Sequence, residues 1–284
     1  MPKLSIITVN LNNATGLDKT MQSVFAQTFT DYEYIIIDGG STDGSVEQIK
    51  KQQNKLVYWI SEKDKGIYNA MNKGIIKATG EYLIFVNSGD YFVDEFVCEK
   101  MLNNGNVKAD IIHGNLERVY PDGHKDVRYV PSTWSVEYLV NTAPDHNSAF
   151  IKKRLFNDYG LYDESLKIVA DWAFFFKVVV TGNATCYYKD IKVVAFSLGG
   201  TSNQSAGLQL LKTERAKVIE ESLPPSVRDL LENYKLVLAR NEKLERIMIR
   251  KNLLIKRLVK LIIAGFSRRI KLVQTYFSKS DASK

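Results

Sequence analysis

The sequence predicts an α/β fold in which helices flank a mostly parallel sheet, followed by a helical, basic extension. Two observations support this prediction. Over residues 1–90, short apolar runs of strand length alternate with amphipathic stretches of helical length, as in parallel strands joined by helical crossovers. Each apolar run also ends on Asn, Asp, Ser or Gly, so polar turns should line the edge of the sheet where α/β proteins bind ligands.

Four strands are predicted in this part of the chain. They cover residues 4–9, 34–37, 56–60 and 82–86, and helices are predicted between them at residues 15–27, 45–53 and 65–78. The fourth strand has five apolar or aromatic residues in a row, which suits a strand buried on both faces. It stops at Asn87-Ser88-Gly89-Asp90, a polar turn in which a carboxylate could meet a metal ion or a phosphate.

The pattern changes beyond Asp110. A hairpin is predicted at residues 117–129, around Pro121-Asp122-Gly123, and a short strand at residues 149–151. An apolar helix is expected at residues 172–180, directly after Asp171. The glycine-rich loop at residues 199–202 is expected to be flexible enough to close over phosphates.

Composition narrows the class of protein. Apolar residues make up 45% and charged residues 25% of the 284 residues, as in globular rather than disordered proteins. Cys98 and Cys186 form neither a disulfide framework nor a metal-ligand cluster, which favours a reducing cytoplasm. We find no signal-peptide pattern and no apolar run of the roughly 20 residues that a spanning helix needs. We therefore expect a cytoplasmic protein.

The net charge of +7 is unevenly distributed along the chain. Residues 205–284 contain 18 Lys and Arg against 8 Asp and Glu, whereas residues 1–204 contain 21 against 24. We therefore expect a mildly acidic globular domain, residues 1–205, and a basic extension, residues 206–284.

The extension is predicted to be helical almost to its end, apart from Pro224-Pro225. Six apolar residues recur at helical spacing among basic ones: Leu244, Ile247, Met248, Leu254, Leu258 and Ile262. This helix either packs on the globular domain or in a homodimer, or it lies in the plane of an anionic membrane, which we favour slightly. Nucleic acid is not an expected partner, because the basic stripe lacks interleaved aromatic residues.

Taken in order, several stretches resemble those of the family 2 glycosyltransferases, which have the Rossmann-like GT-A fold. Residues 5–12 are similar to the family's first strand, and residues 36–45 to its second strand and acidic turn. Residues 65–74 and 78–82 resemble the segment before the metal-binding turn, and residues 160–164 followed by residues 170–172 resemble the acceptor region with its catalytic Asp. The similarity covers roughly residues 3–205.

The resemblance implies a nucleotide-sugar donor, a UDP- or GDP-sugar, bound at the carboxyl ends of the strands. Val9, Asn10 and Asp38 would hold the base and ribose, whereas Asp64 and Asn72 would support the nucleotide. Asn87, Ser88 and Asp90 would face the diphosphate. Asp90 would bind a divalent metal ion, Mn²⁺ or Mg²⁺, because such ions prefer oxygen ligands.

Asp171 would be the general base that deprotonates an acceptor hydroxyl, so that a single displacement inverts the anomeric centre. With the basic extension, the resemblance implies an enzyme of bacterial polysaccharide biosynthesis. It would act on a glycan acceptor, in our interpretation a lipid-linked one, while bound peripherally to the inner face of the cell membrane. The local sequence leaves other roles open: Asp171 as a helix cap and Asp38 as part of a tight turn.

Four positions depart from the family pattern. Gly39, Asn87 and Gly89 stand where the family often has carboxylates, so that only Asp90 remains at the metal turn, and Leu11 stands where an aromatic residue often lies near the base. His146 is a candidate for a further metal ligand, although a single histidine is more often structural. The departures keep a second interpretation open, a degenerate, non-catalytic glycosyltransferase-like subunit at the membrane. A sugar-phosphate nucleotidyltransferase is disfavoured, because residues 10–14 lack the expected glycine-rich loop with an arginine.

Overall fold

The computed structural model describes residues 1–102, 108–198 and 205–237, together with residues 239–241, 243, 244, 246–248 and 251. The chain divides into two compact units, Met1–Val218 and Ile219–Lys284. The first unit contains every candidate site residue predicted from the sequence. The predicted loop at residues 199–202 and the apolar positions Leu254, Leu258 and Ile262 lie outside the described residues.

The first unit is built on a nine-stranded sheet. Its strands are β1 Leu4–Asn10, β2 Tyr32–Asp38, β3 Tyr58–Ser61, β4 Tyr82–Phe85, β5 Tyr91–Phe92, β6 Ile111–Val119, β7 Lys125–Arg128, β8 Ala149–Lys152 and β9 Cys186–Ser197. They are ordered β3-β2-β1-β4-β8-β6-β9-β5, and β7 forms a hairpin with β6. The four predicted strands pair in parallel, β8 runs antiparallel to β4 and β6, and β9 is parallel to β6. The predicted α/β fold with a mostly parallel sheet is confirmed.

Helices cover both faces of this sheet. They are α1 Ala14–Phe25, α2 Ser45–Lys51, α3 Ile67–Lys77, α4 Val97–Leu102, α5 Val136–Asn141, α6 Lys153–Tyr159, α7 Ala170–Phe176 and α8 Ser205–Ser222. A π-helical turn, Lys177–Thr181, follows α7 where the sequence predicts a continuous α-helix. The predicted break at Pro224-Pro225 is confirmed, because α8 ends at Ser222 and residues 225–237 form a separate helix.

Packing on the two faces of β1 places the carboxyl edge of the sheet. Every residue of β1 is buried. On one face, Leu4 and Ile6 belong to the same apolar cluster as Leu17 and Met21 of α1. On the other face α3 lies so close that a Cβ at Gly74 would sit 2.5 Å from the side chain of Ile7. Since close-packed interiors tolerate little displacement, the ends of β1 and its neighbours are held in place.

Two parts of the sheet were not expected from the sequence. The long strand β9 pairs with β6 over most of its length, and the two-residue strand β5 pairs with β9. Polar and apolar residues follow no regular period along β9, and its burial does not alternate strictly, whereas β5 is too short to show a period. These strands bring Ser197 beside the end of β4, a contact that helps to form the site below.

Candidate active site

A cleft of about 680 Å³ lies where the carboxyl end of β4 meets the start of α7. Four residues predicted from the sequence line it: Asn87, Ser88, Asp90 and Asp171. His146, the candidate metal ligand, lines it as well. The structure therefore brings the predicted diphosphate turn and the predicted general base into one cleft, although they are distant in the chain. The other walls come mainly from Asn13, Ile67, Tyr68, Met71, Lys167, Ile168 and Phe196.

The backbone of the turn after β4 is held by hydrogen bonds to β1 and to the side chain of Thr20 in α1. Ser88 donates its N–H to the carbonyl of Val9 at 3.1 Å, which ties the turn to β1. Thr20 accepts a hydrogen bond from the Gly89 N–H at 3.0 Å and donates its hydroxyl to the Asp90 carbonyl at 2.6 Å. Gly89 has a φ of +101°, a region that favours glycine. The geometry of the turn explains the glycine and aims Asn87 and Asp90 into the cleft.

The carboxylate of Asp90 is buried but weakly compensated. Its contacts are the amide of Asn147 and the backbone N–H of Ser197, both at the long distance of 3.4 Å. Burial raises the pKa of Asp90 to about 6, and these two hydrogen bonds and the charge of His146 offset only part of that rise. A cation beside Asp90 would stabilise the ionised carboxylate that burial disfavours.

Two buried amide oxygens at the ends of neighbouring strands have no hydrogen-bond partner among the described residues. They are Asn10 Oδ1, at the end of β1, and Asn87 Oδ1, just beyond β4. Buried polar atoms are normally paired, so an unpaired one in a cleft points to a missing ligand or water. Asn87 and Asp90 both line the cleft, and each carries side-chain oxygen, a hard ligand atom.

These oxygens suit a divalent ion whose other ligands are water molecules or substrate phosphates. In the part of the chain that the structure describes, no group of three or more His, Cys, Asp or Glu residues could hold a metal by itself. Mg²⁺ and similar ions are commonly held by one or two protein oxygens plus substrate phosphates. The oxygens of Asp90 and Asn87 suit a metal ion that takes its remaining ligands from the phosphates of the substrate.

Asp171 lies in the first turn of α7 and is buried against two partners. Its Oδ2 is 2.8 Å from His146 Nδ1, and its Oδ1 accepts the hydroxyl of Tyr68 at 3.0 Å. Burial acts to raise the pKa of Asp171, but the contact with His146 and the Tyr68 hydrogen bond outweigh it, so the pKa is lowered. Val169 occupies the N-cap position of α7, and the helix-cap role for Asp171 is therefore wrong.

His146 faces Asp171 with one ring nitrogen and the cleft with the other. Nε2 lies 3.4 Å from Asn87 Nδ2. Burial acts to lower the pKa of His146, but the hydrogen bond and charge of Asp171, with Asp90 and Asp145 nearby, raise it overall. Nδ1 of His146 is engaged by Asp171 and Nε2 faces the amide of Asn87, so the structure makes His146 a positioning partner of Asp171, and its role as a metal ligand stays a prediction.

Asp38 is enclosed at the end of β2 by a network of hydrogen bonds. Its carboxylate accepts five of them, from the Asn10 amide, the N–H and hydroxyl of Ser41, the N–H of Gly40 and the hydroxyl of Ser61. Burial would raise the pKa of Asp38, but these donors lower it overall. Asp38 thus organises the ends of β1, β2 and β3, as the tight-turn alternative expects.

The departure at Gly39 has a structural explanation. A Cβ at this position would lie 3.1 Å from Asp64 Oδ2 and 3.3 Å from the side chain of Leu11. Asp64 is also bound to Lys73 Nζ at 2.5 Å. A carboxylate at position 39 would face the carboxylate of Asp64, so glycine avoids both a steric contact and a charge repulsion.

Asn72 is buried away from the cleft and joins α3 to the loop before α7. Its Oδ1 accepts the Tyr162 N–H at 3.0 Å, and its Nδ2 donates to the Tyr162 carbonyl and to Glu164, both at 2.9 Å. The structure gives this side chain a packing role, and its predicted support of the nucleotide stays a prediction. Tyr68, in contrast, was not predicted, because a tyrosine in the first turn of a helix carries no distinctive sequence signal.

Comparison with known proteins identifies the family. A sequence profile described as Glycosyl transferase family 2 matches residues 5–178, which is more than half of the chain. The chain belongs to glycosyltransferase family 2. The resemblance noted in the sequence is therefore confirmed, and the protein is a glycosyltransferase with the GT-A fold.

Among curated relatives, an uncharacterised glycosyltransferase of Mycobacterium tuberculosis is 32% identical over 186 residues, which cover 63% of this chain and 70% of the relative. The PGL/p-HBAD biosynthesis glycosyltransferase of Mycobacterium tuberculosis is 26% identical over 222 residues, which cover 74% of this chain and 83% of the relative. The names of both relatives agree with the family of this chain.

Solved structures share the fold. S. aureus TarS 1–349 in complex with UDP-GlcNAc has a TM-score of 0.61 and 19% identity, covering 80% of this chain and 69% of that chain. The mannosyltransferase PcManGT from Pyrobaculum calidifontis in complex with GDP-Man and Mn²⁺ has a TM-score of 0.57 and 14% identity, covering 79% and 66%. At these identities the likeness shows the GT-A fold alone.

Proposed function

We propose that this glycosyltransferase moves a sugar from a UDP- or GDP-sugar to a hydroxyl of a glycan acceptor, with inversion at the anomeric carbon. The observation that carries the proposal is the single cleft that holds Asp171 together with Asp90 and Asn87. Inverting transfer needs a base on one side of the reacting carbon and charge compensation for a leaving diphosphate on the other. The two structural neighbours bind UDP-GlcNAc and GDP-Man, which supports a nucleotide-sugar donor.

In the proposed step, the acceptor hydroxyl transfers its proton to Asp171 while its oxygen bonds to the anomeric carbon. The bond from that carbon to the diphosphate breaks, and the nucleoside diphosphate leaves with the electron pair. Tyr68 and His146 hold the carboxylate of Asp171 toward the cleft. Asp90 and Asn87 would hold Mn²⁺ or Mg²⁺, which when bound neutralises charge on the departing diphosphate.

The nucleotide end of the proposed site lies at the carboxyl ends of β1 and β2. Asn10 Oδ1, which has no hydrogen-bond partner within the described part of the chain, would accept an N–H group of the base, and Asp38 fixes the strand ends around it. A backbone hydrogen bond from Ser88 to Val9 connects this end of the site to the diphosphate turn. We also propose that Asp64 and Asn72 support the nucleotide from outside the cleft, since Asn72 holds the loop before α7.

We also propose that the acceptor is lipid-linked, in bacterial polysaccharide biosynthesis, and that residues 206–284 hold the catalytic domain, residues 1–205, at the inner face of the cell membrane. Described apolar residues of the extension are exposed among basic ones, for example Leu236, Val237 and Met248. None of the helices that the structure describes is both long enough and apolar enough to cross a membrane. The exposed apolar residues suit an in-plane helix on anionic lipid, or a homodimer contact.

A nucleotide-binding screen tests the proposed function. Thermal unfolding would be measured with UDP, GDP, TDP and CMP, each with and without Mn²⁺. A ligand that binds only the folded state raises stability by about 2.7 kcal/mol at a hundred times its Kd. We expect one uridine or guanosine nucleotide to stabilise the protein in a Mn²⁺-dependent way. Absence of any shift would count against the donor site and favour the non-catalytic alternative.

A further inference from the structure

Glu214 is a buried carboxylate in α8, within the part of the chain that composition assigns to the basic extension. Its two oxygens accept the backbone N–H groups of consecutive residues, Lys167 at 2.7 Å and Ile168 at 3.0 Å. Lys167 and Ile168 both line the cleft. Hydrogen bonds to an ionised carboxylate are stronger than neutral ones, so Glu214 fixes this segment of the cleft wall.

The same segment controls a hydroxyl that reaches Asp171. The carbonyl of Ile168 accepts the hydroxyl of Tyr68 at 2.6 Å, and Asp171 Oδ1 lies 3.0 Å from the same hydroxyl. The hydroxyl has one hydrogen, which the two oxygens share. The position of the Ile168 carbonyl therefore sets the orientation of the Tyr68 hydroxyl and the strength of its hydrogen bond to Asp171.

A second contact from α8 reaches the other side of Asp171. The guanidinium of Arg215 lies over the ring of Trp172, 4.8 Å from its centre. Trp172 is the residue after Asp171, and its indole N–H donates to the Leu139 carbonyl at 2.6 Å. Neighbouring residues of α8 thus contact the chain just before Asp171 and just after it.

We infer that Glu214 is a positioning residue for sugar transfer, which sets the carboxylate of Asp171 through the Lys167–Ile168 backbone and the hydroxyl of Tyr68. The inference rests on the proposed function, in which Asp171 receives the proton of the acceptor. Small displacements of a reacting group cost large factors in rate. The middle of α8 on this account helps to position the general base.

The test is a double-mutant cycle on the full chain, with Glu214→Gln, Tyr68→Phe and both together. Release of nucleoside diphosphate is followed with the donor identified by the nucleotide screen. Each single variant should lower kcat about tenfold, as expected for the loss of one hydrogen bond to a charged group, and leave the KM for the donor within about twofold. Because both act on one carboxylate, the double variant should lose much less than the roughly hundredfold product.

Glu220→Gln is the matched control, since Glu220 lies on the same helix but is exposed. It should leave kcat unchanged. If Glu214→Gln fails to fold, Glu214→Asp takes its place in the cycle, because it keeps the charge and moves it by one methylene. Losses that multiply in the double variant, or a Glu214 variant with normal kcat, would overturn the positioning role. Wild-type protein that binds a nucleotide but turns over no sugar donor would instead overturn the proposed function, and the positioning role with it.

Discussion

The two acidic turns at the carboxyl edge of the sheet differ in how their carboxylates are satisfied. Asp38 receives five hydrogen bonds at 2.5 to 3.2 Å, whereas Asp90 has two contacts at 3.4 Å. Both side chains are buried, yet the pKa of Asp38 is lowered and that of Asp90 is raised to about 6. A fully paired carboxylate stabilises the fold, whereas the under-paired Asp90, and Asn87 Oδ1, which has no partner among the described residues, are suited to bind a ligand.

The largest expected effect comes from Asp171, the proposed general base, which lies in the same cleft as Asp90. Asp171→Asn removes the proton acceptor, so transfer should fall by about 10² to 10⁴-fold. Nucleotide-dependent thermal stabilisation should remain close to wild type, because the asparagine side chain has almost the same shape as the aspartate that it replaces. Steady-state kinetics and the thermal screen measure the two quantities. Asp158→Asn, at an exposed site, is the control. Near-normal activity of the Asp171 variant would exclude it as the general base.

Replacing the fully paired carboxylate should damage folding first. Asp38→Asn puts an amide NH₂ group among backbone and hydroxyl donors, and we expect a loss of about 3 kcal/mol in unfolding free energy at pH 7. The lowered pKa of Asp38 means that its stabilisation is complete above the ordinary carboxyl pKa and is lost as the pH falls through the lower folded value. Denaturant titrations should therefore show the difference between the two proteins shrinking below about pH 4.

The matching change in the other turn should behave in the opposite way. Asp90→Asn should leave the stability of the metal-free protein near wild type, because it removes a poorly compensated buried charge. It should abolish the Mn²⁺-dependent part of nucleotide stabilisation, a loss of about 2 kcal/mol at saturating nucleotide. Thermal unfolding with and without Mn²⁺ distinguishes the two outcomes. A marked loss of stability without ligand would show that Asp90, like Asp38, serves the fold.

The smallest effect tests the glycine that completes the paired turn. Gly39→Asp places a second carboxylate against Asp64 and should cost about 1 kcal/mol of stability. The same substitution in an Asp64→Asn background should cost clearly less, since one of the two charges is gone. Chemical denaturation of the four proteins gives the coupling directly. Equal costs in both backgrounds would mean that steric crowding by Leu11, not charge, accounts for the glycine.

The sequence predicted the parallel half of the fold better than the mixed half. The strands from Leu4 to Phe85 are mostly apolar runs between polar turns, and their positions were recognisable from this local pattern. β9 alternates weakly between shielded and open positions, and its pairing with β6 joins residues far apart in the chain. Local periodicity cannot show such a pairing, because it depends on the tertiary packing of the two strands.

The candidate site shows the same contrast between what local sequence predicts and what it does not. The sequence by itself determined that Asn87, Ser88 and Asp90 follow a buried strand and that Asp171 begins a helix, because these depend on local pattern and family motif. Only the tertiary structure decided that Asp171 is held by His146 and Tyr68, and that Glu214 secures the loop before it. Those contacts join side chains from α3, α7, α8 and the residues before β8, and the hydrogen-bond partners of a buried group are set by packing rather than by its sequence neighbours.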